Sequence, residues 1–151
     1  MIRTGISLIV LLSVITVSSV ACVFGNSLTL TGSAMEPTLH DGQKFTYQHV
    51  DLDDLDRYDI IVYYKPQDQN IKLVHRIIGL PGEKIECKDG IVYINDEPID
   101  EPYVQGTTST FAAIILTDYQ YFVLGDNREY SADSRSRGPV DGDDIIGLVK
   151  E

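Results

Sequence analysis

From residue 5 to residue 25 the chain runs GISLIVLLSVITVSSVACVFG, and no charge interrupts it between Arg3 and Glu36. A helix needs about 20 apolar residues to cross a bilayer, so this stretch is long enough to be a transmembrane anchor. Two other readings fit: a cleaved secretory signal ending at Ala21, after the small-x-small run SVA, or a lipoprotein junction at Ala21-Cys22. The uncharged stretch outruns the short apolar region of an ordinary signal peptide, which favours the anchor. Arg3 and the α-amino group precede it and the next basic residue is Lys44. The positive-inside rule then keeps residues 1–4 in the cytoplasm and places residues 26–151 outside.

Beyond Arg3 the chain holds 11 basic against 23 acidic residues, a formal charge of −12. This argues against nucleic acid as a partner and for charge that serves solubility. The two cysteines, Cys22 and Cys87, fall in the apolar segment and far along the chain, so both read as free thiols, Cys87 as a small strand residue. No CxxC, HExxH or His/Cys cluster occurs, and neither a metal nor another cofactor is indicated.

Past residue 26 no 3.6-residue apolar stripe is sustained; short and period-2 apolar runs separated by turn residues predict a mostly β domain. Strands are expected at 27–31, 44–49, 59–64, 72–78, 84–87, 91–94, 121–124 and 145–149. KIECKDGIVYIN reads as a hairpin with Asp89-Gly90 at its tip. Residues 106–110 read as a polar loop and 141–144 as a charged turn. Almost no linker separates Gly25 from the loop TGSAMEPTLHDGQ at 31–43, so that loop works close to the membrane surface.

Three stretches carry chemistry. TGSAMEPTLHDGQ is shaped like a presenting loop, yet presents only the methyl group of Ala34. In LVHRIIGLPGE, strand geometry puts His75 on one face with Leu73 and Ile77, and Val74 and Arg76 on the other. A histidine on an apolar face is most often a core residue; it becomes a candidate general base where a hydroxyl lies within reach. Asp133 or, second, Asp126 could orient it and set its tautomer. His40 and His49 sit in or beside turns and read as surface residues. In FVLGDNREYSADSRSRG, polar residues are dense enough to form a buried hydrogen-bond network that holds a neighbouring site.

Together these motifs resemble the type I signal peptidases, membrane-anchored serine proteases that remove signal peptides from exported proteins. The resemblance runs from the anchor through GSAMEPTL, DRYDIIVYY, VHRIIGLPGE, VYINDEPIDEPY and GDNREYSADSR to GPV. It implies an antiparallel β-sheet domain of signal-peptidase type behind one N-terminal transmembrane helix, with an apolar surface resting on lipid. It implies signal peptides of exported preproteins, bound as extended strands, as partners. By the same resemblance Gly32, Ser33, Met35 and Pro37 belong to the oxyanion and substrate loop, and Arg76, Arg128, Ser131 and Arg135 to the supporting network. No cofactor is implied, since the reaction needs a hydroxyl, a base and backbone donors.

The family's nucleophile is the serine before Met in this loop, and here that position is Ala34. A methyl group has no proton to lose and no lone pair to attack a carbonyl, so the route to an acyl-enzyme is closed. Ser33 is adjacent, but one residue along an extended segment turns its side chain away. Most bacterial members place lysine where this chain has His75; the form resembles the endoplasmic-reticulum and archaeal branch, and imidazole needs little adjustment to accept a proton near pH 7. Tyr58, where the family usually has glycine, and Glu83, where it often has aspartate, are compatible with the fold. Three functions therefore compete. The chain is an inactive member that binds extended peptides as a chaperone or assembly factor, or a working peptidase through Ser33 or through a serine at 34 in a parent chain. The third is a structural membrane protein that keeps only the fold.

Overall fold

The computed structural model describes residues 26–66 and 68–150. In chain order its strands are β1 (Asn26–Thr29), β2 (Lys44–Gln48), β3 (Ile60–Lys65), β4 (Asp68–Gly79), β5 (Lys84–Lys88), β6 (Ile91–Ile94), β7 (Glu97–Pro98), β8 (Phe111–Ile115), β9 (Gln120–Leu124), β10 (Val140–Asp141) and β11 (Ile145–Lys150). A single helical turn, α1 (Ser134–Arg137), lies between β9 and β10. The larger sheet has the order β1-β2-β11-β3-β4-β9-β10 and the smaller β7-β6-β5-β8. The anchor read at residues 5–25 lies outside the described residues, among which no helix is long and apolar enough to cross a membrane.

The run IIVYY in β3 is apolar on both sides because both faces of the larger sheet are covered. Ile60 and Val62 join Val74 in one cluster; Ile61 and Tyr63 join Ile77, Tyr121 and Val123 in another. This is the alternation expected for His75's strand, with Val74 on the face opposite Leu73 and Ile77. A third cluster joins the sheets: Ile85, Cys87, Val92 and Ile94 pack against Phe122 and Leu124 of β9. Each such side chain contributes about 1.5–3 kcal/mol when fully buried. The Cys87 thiol is buried on β5, and burial raises its pKa.

The expected hairpin is present: Lys88 pairs with Ile91, and Asp89 and Gly90 take φ values of 51° and 83° between them. Both central residues are left-handed, as a type I′ turn requires. Two departures concern β4 and β8. β4 begins at Asp68 instead of residue 72, because Lys65 pairs with Asp68 across a bulge after Tyr64. β8, in the run FAAII, lacks clean alternation and is a strand because it pairs with β5, Ile85 opposite Ile114 and Lys84 opposite Ile115.

Tyr58 sits at φ 79°, where a side chain meets its own backbone and glycine is favoured. It is held there by its N–H on the Ile77 carbonyl (2.8 Å) and by edge contact with Tyr103. Nearby, Glu83 accepts both Arg57 amino groups (2.8 and 2.6 Å) and the Leu80 N–H (2.7 Å). Partial burial alone would raise its pKa, but these donors hold the carboxyl below its usual range.

Candidate active site

The loop between β1 and β2 is closed by Leu30 N–H on the Gln43 carbonyl (2.8 Å) and Gly42 N–H on that of Leu30 (3.0 Å). Within it, Leu39 N–H donates to the Met35 carbonyl (2.9 Å), and both side chains are buried in the first cluster. Met35 is thus the hydrophobic anchor of the loop rather than part of its open surface. Gly32, at φ 94°, gives its N–H to Asp41 Oδ1 (2.8 Å). Pro37 follows a cis bond and is exposed, as is Ser33, whereas Ala34 is half-buried.

The polar run after β9 grips this loop. A Cβ on Gly125 would stand 2.5 Å from the Ala34 carbonyl oxygen and 2.3 Å from Ser131 Oγ, so only glycine permits the approach. Asn127 then donates its N–H to the Ala34 carbonyl (3.0 Å) and Nδ2 to the Ser33 carbonyl (3.1 Å). Asp126 accepts Arg76 Nε (2.8 Å) and Nη2 (2.6 Å) and also the Thr38 hydroxyl, tying the far end of the loop to β4. Arg76 donates to the Tyr58 carbonyl as well (2.8 Å), and its guanidinium lies 4.1 Å from the Tyr103 ring centre.

Asp133 accepts the Gly125 N–H (3.0 Å), the Arg135 N–H (3.2 Å) and the Arg135 side chain (2.9 and 2.8 Å). Burial alone would raise this carboxyl; the Arg135 and Gly125 donors hold it below the usual range. Arg135 also donates to the Arg128 carbonyl (2.7 Å), and Arg128 pairs with Glu101 (3.0 and 2.5 Å) and Thr108. Of the residues expected in a supporting network, Arg76 pairs with Asp126, Arg128 with Glu101 and Arg135 with Asp133, whereas the Ser131 hydroxyl is buried with no hydrogen-bond partner among the described residues.

His75 lies in β4, buried, with Tyr63 Oη 2.8 Å from its Nδ1. Ile61 is opposite His75 and Tyr63 opposite Leu73, so the tyrosine is the diagonal neighbour on the same face. Burial pushes the imidazole down to about 4; Arg137 and Arg135 add to this, while Asp133 and Asp126 oppose it. The ring is therefore neutral at pH 7. Burial also raises the Tyr63 phenol above its usual range, so that it keeps its proton. Among the described residues neither Asp133 nor Asp126 hydrogen-bonds to the ring: each faces an arginine, and the group on Nδ1 is Tyr63.

Ala34 and His75 line one cavity of about 150 Å³, together with Leu30, Phe45, Leu73 and Val74. Ser33 is not in its wall. Among the described residues, β4 at the level of Lys72 to Val74 pairs with β3 alone, since β9 joins it from Arg76 onward. One edge of β4 is thus open beside the cavity, and β1, the outermost strand of its sheet, lines the other side. A larger groove, about 740 Å³, opens beside Thr38, Lys44 and Lys150 and includes neither Ala34 nor His75.

The family model described as "Signal peptidase, peptidase S26" matches residues 2–151. The chain belongs to the signal peptidase family. It is 35% identical over 142 residues to signal peptidase IB of Staphylococcus aureus (strain COL), covering 80% of this chain and 73% of the relative. It is also 35% identical over 130 residues to signal peptidase I of Bacillus licheniformis, 77% and 69% of the two chains. A crystal structure of a signal peptidase I from Enterococcus faecalis V583 superposes with a TM-score of 0.58 at 32% identity, over 64% of this chain and 97% of that one. Membership implies signal peptides as the substrate class and a membrane-associated setting.

Sequence reasoning did not pick out Tyr63 or Asn127 individually. Asn127 stood inside the polar block singled out for its density, and that block was its signal. Tyr63 had none: it reads as one more apolar residue of IIVYY until the β3–β4 register places its hydroxyl on His75.

Proposed function

We propose that this signal peptidase family member binds an extended signal peptide at the outer membrane face and does not cut it, because Ala34 stands at the nucleophile position. The observation that carries this reading is the shared cavity: Ala34 and His75 line it together, and the loop carbonyls are still held by Asn127. Among the described residues the outer edge of β1 and the edge of β4 at Lys72 to Val74 have no strand partner, so a peptide strand laid between them has backbone to meet. With a hydroxyl at 34 and a bare His75 nitrogen facing it, the oxygen would attack the scissile carbonyl, its proton would pass to the ring, the ring would protonate the leaving amine, and water would hydrolyse the resulting ester. Asp133 and Asp126 act in this reading through the charge they set around the ring, with Arg76, Arg128, Ser131 and Arg135 as the frame. Anchoring by residues 5–25, cytoplasmic residues 1–4 and an outer domain at 26–151 place the cavity beside the bilayer.

The test is a preprotein with an Ala-x-Ala site, incubated with the membrane-anchored protein and with its Ala34→Ser variant. The unaltered chain should retain the signal peptide without cleaving it, and the variant should cleave it. Cleavage by the unaltered chain, abolished by Ser33→Ala, would instead establish a working peptidase. Neither retention nor cleavage by either protein would leave a structural role.

A further inference from the structure

Tyr63 is buried, and it packs in a cluster with Leu55, Ile61, Ile77, Tyr121 and Val123. Among the described residues the acceptor within its reach is His75 Nδ1, at 2.8 Å. A phenol has one proton to donate, whereas a neutral imidazole has one N–H and one bare nitrogen. If Nδ1 carried the ring proton and donated to Tyr63, the phenolic proton would have no acceptor among the described residues, and a buried unpaired donor is costly. If the phenol donates, both groups are satisfied and the ring proton resides on Nε2. We propose that Tyr63 is a positioning residue that holds His75 as its Nε2–H tautomer, so that the ring presents the peptide in the Ala34 cavity with a hydrogen-bond donor instead of a base. This deepens the binding reading: a neutral donor beside a methyl group suits a site that grips a peptide oxygen without attacking it. The charged groups around the ring are Asp133 and Asp126 on one side of the balance and Arg135 and Arg137 on the other. Burial pushes the ring's pKa low enough for it to stay neutral near pH 7, where tautomerism is the relevant equilibrium.

The experiment is two-bond proton–nitrogen correlation NMR of the full chain in detergent micelles with 15N-labelled histidine, which reads which ring nitrogen carries the proton. The chain has only three histidines, and the His75 signal is assigned by its loss in His75→Gln. An Nε2–H signature at neutral pH that shifts toward Nδ1–H in Tyr63→Phe supports the proposal. Nδ1–H in the unaltered chain overturns it, and so does an Nε2–H signature that Tyr63→Phe leaves unmoved. The readout on the unaltered chain does not depend on the variant's folding, and none of it depends on cleavage. A second arm adds kinetics. In the Ala34→Ser background, Tyr63→Phe should raise kcat about tenfold, since the base form no longer strands a buried phenol proton. A fall in kcat with a normal tautomer shift would overturn the claim that the tyrosine restrains the base. Absence of any cleavage with the expected tautomer would count against the proposed function alone.

Discussion

The two halves of the site are built in opposite ways. The loop carrying Ala34 is positioned through its backbone: the carbonyls of Ser33 and Ala34 are held by Asn127, and Met35 and Leu39 anchor it from below. The strand carrying His75 is positioned by register, and the ring's environment comes from side chains: Tyr63 on one nitrogen, apolar neighbours around it, and arginines and aspartates at longer range. A side chain can therefore change at 34 with little cost to the fold, whereas position 75 is bound into packing and charge.

The largest effect should come from cutting the tie between the halves. Asp126→Ala leaves the buried Arg76 guanidinium without its bidentate carboxylate, and removal of one partner of a buried pair costs about 3–5 kcal/mol. Urea unfolding should show that loss, together with loss of peptide retention; a change below about 1 kcal/mol would mean that the halves are independent.

Next is the pH dependence of the strand half. His75 is held at about 4 in the folded chain, against about 6.5 unfolded. Below the unfolded value the unfolded chain takes up a proton that the folded chain refuses. Stability should thus fall as pH drops from about 6.5 to about 4, by up to something on the order of 3 kcal/mol. The contribution of Asp133, whose folded pKa is depressed below 3.8, is lost only at lower pH, as the folded carboxyl protonates. Urea midpoints across this range should slope less in His75→Gln; equal slopes would place the titration elsewhere.

The loop half gives a smaller effect. Asn127→Ala removes the Nδ2 bond to the Ser33 carbonyl while keeping the backbone bond to Ala34, a loss of about 1 kcal/mol. Faster backbone hydrogen exchange at residues 32–36 should accompany it, with β4 unchanged. The smallest change should be Ala34→Ser, within about 0.5 kcal/mol of the unaltered chain. A stability loss above 1 kcal/mol there would show that the side chain at 34 does matter to the fold, and the contrast between the halves would fail.

The sequence by itself determined the mostly β architecture, the Asp89-Gly90 hairpin and the family. Turn residues, alternation and contiguous motifs are local properties, legible one stretch at a time. It also brought the right block into view at 122–138, because so many polar groups can be buried only as a network. It did not assign the partners. Asp133 was the first candidate for His75 and Asp126 the second, and only the folded chain shows Asp126 on Arg76 and Asp133 on Arg135. Tertiary structure alone put Tyr63 on His75, made a strand of Phe111–Ile115, and left the edge of β4 open beside the cavity. Those facts depend on which residues of separate strands stand opposite each other, and a shift of one residue would turn every side chain to the other face.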